Sequence, residues 1–139
     1  MIDIDNQTDY TIKTDFLEAV LNHLTQKDIE LIVTTNNSIQ LLNKEYRGID
    51  KATDVLSFPY EDMPMVPLGS IIISIDYVRA KSQELGHSID DEFSLLFIHG
   101  LLHLLGYDHE VDDGEMRKKE EEIIKNFNLP KSLIVRTEG

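Results

Sequence analysis

The feature that most constrains the fold is an uncharged, mostly apolar stretch between Phe93 and Leu105. Nine of its thirteen residues are apolar, and none is an Asp, Glu, Lys or Arg. The stretch is shorter than the ~20 residues that cross a bilayer, so we do not expect it to span a membrane. It predicts instead the buried spine of a globular domain, within a helix that starts at Ser88 or Asp90 and ends near Leu105.

The other patterns alternate between short strands and helices. Alternating or β-branched runs predict strands, and apolar residues at helical spacing predict helices. The strands are expected at residues 1–5, 29–35, 54–58 and 69–75, and the helices at residues 16–24, 37–47, 76–85 and 112–127. Asn37 or Ser38 is the expected cap of the second of these helices. We therefore predict a single α+β domain over residues 1–139, with a small mixed β-sheet packed with helices around the central buried helix.

Composition narrows the possible functions. The chain has no cysteine, which excludes disulfides, thiolate metal sites and cysteine nucleophiles. Its net charge of −13 argues against broad, non-specific binding of nucleic acid. The N-terminus is acidic where an export signal would be basic, so we expect a cytoplasmic protein.

Three of the five histidines fall in the run HGLLHLLGYDH, residues 99–109. His99 and His103 are four residues apart, which places both rings on one face of a helix. Gly106 can end that helix and let the chain bring His109 back toward the other two. Three imidazoles with an open fourth position are typical of a catalytic zinc site, so we expect one Zn²⁺ per chain. Nickel also suits imidazole ligands and stays an alternative; a third interpretation is that the rings are core histidines bonded to backbone carbonyls.

Gly100 distinguishes this run from that of zinc peptidases. The spacing matches the metzincin pattern HExxHxxGxxH at each histidine and at the glycine, but Gly100 stands where the peptidases carry the glutamate that acts as general base. Peptide hydrolysis would therefore lack its proton shuttle. Either another residue supplies the base or the substrate is not a peptide.

The histidine run resembles the signature of the YbeY family of bacterial endoribonucleases. Further resemblance comes from LNKEYRGID at residues 42–50, from TDVLSFP at residues 53–59 and, more loosely, from LGSIIIS at residues 68–74. The resemblance implies a metal-dependent endoribonuclease, specific for single strands, that acts in small-subunit ribosomal RNA maturation and ribosome quality control. It also implies partners: single-stranded or ribosomal RNA, and the ribosome or its proteins, with neither DNA nor a membrane expected.

The resemblance also assigns residues. It implies zinc ligands at His99, His103 and His109, and it places the functionally important arginine of the family at Arg47. By spacing alone, Arg47 and Lys44 share a helical face that is either solvated or able to contact phosphate. Two positions depart from the family pattern: Ala52 replaces a proline, and Ser70 replaces an aspartate that usually follows the glycine.

Other polar residues have plainer interpretations. Asp54 is expected to form a cap or a turn, and Asp108 either forms a turn or orients a ligand imidazole. His23 and His87 are expected at the surface or at helix ends. The acidic run from Glu120 to Glu122 predicts a solvated helix face.

Two rival functions stay open. A metal hydrolase of another substrate class, such as a peptidase, is favoured by the metzincin-like spacing and opposed by Gly100. A non-catalytic ribosome-assembly module with a structural metal would need a fourth protein ligand.

Overall fold

A four-stranded mixed sheet occupies the middle of the molecule. The computed structural model describes residues 1–108 and 110–130. The strands are β1 (Ile2–Asn6), β2 (Ile29–Thr34), β3 (Val55–Pro59) and β4 (Gly69–Ser74). Their order is β1-β2-β4-β3, with β1, β2 and β4 parallel and β3 antiparallel to β4. The predicted α+β class and small mixed sheet are confirmed.

Five helices surround the sheet in the described part of the chain. They are α1 (Thr14–Leu24), α2 (Asn36–Arg47), α3 (Ile75–Leu85), α4 (Ile89–Leu104) and α5 (Glu115–Asn126). Each predicted helix is present, with ends shifted by a few residues. None of these helices is long and apolar enough to cross a membrane.

The start of α2 corrects one expectation. Neither Asn37 nor Ser38 caps this helix: Thr35 does, and its side chain accepts a hydrogen bond from the Ser38 backbone N–H at 3.4 Å. Thr35 directly follows β2 and keeps extended backbone angles, which the N-cap position requires. The helix therefore begins as soon as the strand ends.

The two faces of the sheet carry separate apolar clusters. On β4 the consecutive isoleucines alternate between them: Ile71 and Ile73 belong to the main core with Phe97 of α4, whereas Ile72 packs with Ile39 of α2. All of β4 is buried, as its β-branched run without charges predicts. Helix α4 therefore lies on one face of the sheet and α2 on the other.

Helix α4 is the buried spine that the sequence predicts. Ser88 caps it by accepting a hydrogen bond from the Asp91 backbone N–H at 3.0 Å. Between residues 92 and 104, every residue is buried except His99 and His103. Beyond its exposed first turn, the helix thus reaches the surface only where its two imidazoles lie.

Candidate metal centre and cleft

A cleft of about 530 Å³ lies over the C-terminal half of α4. His99 and His103 line it from α4, the edge strand β3 lines it from the side, and Arg47 lines it from the end of α2. The turn after α4, which contains Asp108, completes its wall. Residues from distant parts of the sequence therefore share one surface.

The two imidazoles of α4 converge on one point. The Nε2 atoms of His99 and His103 are 3.2 Å apart, and the ring planes are inclined by 80°. Two nitrogen ligands of a tetrahedral zinc ion, each ~2.0–2.1 Å from the metal, lie roughly 3.3 Å from each other. The separation of this pair therefore fits two ligands of one metal ion, and it also fits a hydrogen bond between the rings.

Glu120 of α5 lies behind the ring of His99. Its Oε1 lies 2.7 Å from Nδ1 of His99, and its side chain is only 6% exposed. A carboxylate at that position favours the tautomer with the proton on Nδ1, which leaves Nε2 of His99 a lone pair for a metal ion or for a hydrogen bond from His103. A histidine that binds a metal through Nε2 needs this tautomer, and its Nδ1–H is commonly hydrogen-bonded to a carboxylate.

The expectation of a solvated Glu120–Glu122 face is wrong for Glu120. Glu122 is exposed, but Glu120 is buried because it lies on the side of α5 that packs against the core. Glu120 lies four residues after buried Met116 and three before buried Ile123, so helical periodicity already places it on the apolar stripe. A charged residue within an apolar stripe indicates a buried polar partner, so the sequence contained a signal for this contact.

Gly100 faces the sheet at very short range. A Cβ atom at this position would lie 2.9 Å from Cγ2 of Ile71 and 3.1 Å from Oγ of Ser57. The Ser57 hydroxyl donates to the Gly100 carbonyl at 3.3 Å, so Ser57 links β3 to α4. The structure therefore leaves no space for the peptidase glutamate at this position.

Arg47 reaches the cleft from the opposite face of the sheet. It is the last residue of α2, which Gly48 ends in a left-handed conformation (φ 69°) that suits glycine. The Arg47 Cζ atom lies 6.0 Å from the centroid of the Phe58 ring. Lys44, one turn earlier, has its ammonium group 4.0 Å from Asp50. Of this basic pair, Arg47 is thus the residue that lines the cleft.

The aspartates of the cleft make turn contacts. Asp54 accepts a hydrogen bond from the Val55 backbone N–H at 2.8 Å, and Asp108 accepts one from the Glu110 backbone N–H at 3.0 Å. His109 lies outside the described residues. Within the described residues, no group of three or more His, Asp or Glu side chains is placed to hold a metal.

Two expectations outside the cleft have different outcomes. His23 is exposed, as expected, with its ring edge-on to Phe127 at 5.5 Å. His87 lies at a helix end, between the C-cap Gly86 of α3 and the N-cap Ser88 of α4, but its side chain is only 6% exposed, and Nε2 lies 2.7 Å from Oε1 of the fully buried Glu92. The turn at Gly86 brings the His87 ring against α4. The apolar periodicity of a single helix cannot predict a contact between two helices.

The two departures from the family pattern both lie on the side of the sheet that faces α2. Ser70 is 5% exposed in the interior of the sheet, between Glu30 on β2 and Phe58 on β3. It shares a face with Ile72, so it points away from α4 and its histidines. Ala52 packs against the small cluster beneath α2.

Fold and site together define a small α+β protein with a histidine-lined cleft between a buried helix and an edge strand. The sequence profile of the family described as Endoribonuclease YbeY matches residues 2–128. The chain is 64% identical over 138 residues to a protein of Nautilia profundicola and 60% identical over 139 residues to one of Sulfurimonas denitrificans, and each alignment covers at least 99% of both chains. Both relatives are named Endoribonuclease YbeY.

A solved structure agrees with the fold. The solution structure of a Thermotoga maritima protein is 28% identical in sequence, superposes with a TM-score of 0.64, and covers 91% of this chain and 89% of its own. This chain therefore belongs to the Endoribonuclease YbeY family.

Proposed function

We propose that this protein is an endoribonuclease that cleaves single-stranded ribosomal RNA at a zinc ion held by His99, His103 and His109. Family membership supports the reaction class, the cleavage of RNA. The observation that carries the proposal for the site is the pair of Nε2 atoms 3.2 Å apart, with Glu120 behind one ring. His109 is included as the third ligand because of its spacing in the sequence motif.

The residues of the chain have separate tasks in this proposal. A zinc ion supplies Lewis acidity toward a phosphodiester and acidifies water; a nickel ion suits the same imidazoles. Glu120 orients His99 and fixes its tautomer. Arg47 presents a planar guanidinium to the phosphate and stabilises the negative charge that develops there.

Ribosomal RNA within the small ribosomal subunit is the proposed target. The family resemblance supports this partner, and the net charge of −13 supports a substrate bound through few local contacts rather than along an extended basic surface. The proposal places the protein in the cytoplasm, where bacterial ribosomes are assembled.

Metal analysis combined with a cleavage assay tests the proposal. We expect about one zinc ion per chain and cleavage of unpaired RNA in preference to duplex RNA. His103→Ala should lose metal and cleavage together, and it should lower the melting temperature because metal binding stabilises the folded form. His23→Ala, which removes an exposed histidine, is the matched control and should retain all three properties.

Three results would contradict the proposal. They are a protein from zinc-replete medium that neither contains nor takes up metal, proteolysis in the absence of RNA cleavage, and full RNA cleavage by His103→Ala. A fourth protein ligand on a bound metal would favour a structural metal instead.

A further inference from the structure

Two aromatic rings lie side by side at the end of α2. Tyr46 is 63% exposed, and its ring centroid lies 5.5 Å from that of Phe58 on the edge strand β3. The planes are inclined by 58°, so the rings are in contact without one covering the other. Most of the Tyr46 ring is therefore open to a ligand.

The fold does not account for the position of Tyr46. Its hydroxyl makes no hydrogen bond to the described part of the chain, whereas that of Tyr10 bonds to Asp90 and that of Tyr60 bonds to Glu30. A single exposed aromatic side chain is ordinary on a protein surface. What distinguishes this one is that the next residue, Arg47, lines the cleft of the candidate metal centre.

Arg47 connects the aromatic pair to the cleft. Its guanidinium carbon lies 6.0 Å from the centroid of the Phe58 ring, and Arg47 and Pro59 both line the cleft that contains the histidines. Residues 44–51 hold three basic and two acidic side chains, a small positive excess on a protein whose net charge is −13. Arg47 is therefore the residue on this side of the cleft whose guanidinium can contact a phosphate.

We propose that Tyr46 and Phe58 form a stacking site for one unpaired RNA base, beside the phosphate that Arg47 contacts. This inference rests on the proposed endoribonuclease function. Bases of every kind stack on aromatic side chains, and such contacts are common in proteins that bind single strands. In a duplex, both faces of each base are covered by neighbouring bases. The stacking site thus gives a physical reason for selecting unpaired RNA.

Cleavage kinetics of the full-length, zinc-loaded protein test the role of Tyr46. For a single-stranded oligonucleotide, Tyr46→Ala should raise KM roughly 5- to 150-fold, the range that the loss of one stacked base typically gives, with little change in kcat. Tyr46→Phe should restore KM to within about twofold. Leu41→Ala is the control, because Leu41 is 68% exposed on the same helix. Unchanged KM in Tyr46→Ala would overturn the proposal.

Removal of single bases from the RNA identifies the contact itself. Abasic nucleotides are placed at successive positions of the oligonucleotide. At one position the missing base should raise KM for the wild-type protein, and the same change should have no further effect in Tyr46→Ala. Equal effects of every abasic position in both proteins would contradict stacking on Tyr46.

Fluorescence separates base binding from catalysis. The chain contains no tryptophan, so Tyr46→Trp introduces a single fluorophore and keeps an aromatic ring. Single-stranded RNA should quench it, whereas an abasic ribose-phosphate chain should not, and Leu41→Trp should respond to neither. Quenching without cleavage would support the stacking site and contradict the proposed nuclease function. Cleavage without quenching would overturn the stacking site alone, and the absence of both would overturn both proposals.

Discussion

At the scale of single residues, the contact between Glu120 and His99 is the one on which the proposed metal centre most depends. Glu120→Gln keeps the shape of the side chain but removes the charge that holds the proton on Nδ1 of His99. Losing such a partner typically weakens metal binding 10- to 100-fold. We expect a loss of that size for zinc, measured by competition with a chelator of known affinity.

Glu122→Gln is the matched control for this substitution. Glu122 is exposed on the same helix and pairs at the surface with Lys119, 3.2 Å away. Its replacement should leave the zinc affinity unchanged. Equal zinc affinities of Glu120→Gln and the wild-type protein would show that the charge of Glu120 does not contribute to metal binding.

Arg47 offers a second comparison between neighbours. Arg47→Ala should lower the rate of RNA cleavage roughly 100- to 1000-fold, because one charge-stabilising group is lost at the reacting phosphate. Metal content should not change, and the free energy of unfolding should change by less than about 0.5 kcal/mol, as is usual for a surface charge. Lys44→Ala, one turn away and paired with Asp50, should retain most of the activity. A normal cleavage rate in Arg47→Ala would exclude this arginine from the site.

At the scale of secondary-structure elements, local patterns explain what the sequence predicts well. The apolar run of α4 is enough to predict a buried helix, and the four-residue spacing is enough to place His99 beside His103. What local patterns miss depends on contacts between distant segments. Glu120 is buried because α5 packs beside α4, although Glu120 and His99 are 21 residues apart in the sequence. The ring of His87 is buried because the turn after α3 brings it against Glu92 of α4. Only the family resemblance points to Arg47, because no local pattern brings α2 to the cleft of α4.

The packing of α4 on the sheet leads to a third prediction. Gly100→Glu would restore the metzincin glutamate in sequence but not in space, since even a Cβ atom meets Ile71 and Ser57 within 3.1 Å. Overpacking and a buried, unpaired carboxylate should lower the free energy of unfolding by about 3 kcal/mol or more. Denaturant unfolding measures this loss, and no peptidase activity should appear. Gln83→Glu, at an exposed position of α3, should stay within about 0.5 kcal/mol of the wild-type protein. A stable, proteolytic Gly100→Glu would refute this account of the glycine.

At the scale of the whole molecule, net charge and local charge act in opposite directions. The protein carries 26 acidic and 13 basic residues, so the molecule as a whole repels RNA. At one side of the cleft, residues 44–51 hold three basic and two acidic side chains, a small local excess of positive charge. RNA is therefore expected to approach the protein from that side, and its affinity has to come from few phosphates together with contacts to bases.

The dependence of RNA affinity on salt measures how few phosphates are involved. For single strands, the logarithm of the binding constant falls with the logarithm of salt concentration at a slope of about −0.7 per neutralised phosphate. Two or three contacts should thus give a slope between about −1.4 and −2.1, measured by fluorescence titration of the Tyr46→Trp protein across a range of salt concentrations. Adding Arg47→Ala to that protein should reduce the slope by about one contact, whereas adding His23→Ala should leave it unchanged. A slope several times steeper would require a basic RNA-binding surface that a protein with a net charge of −13 is not expected to have.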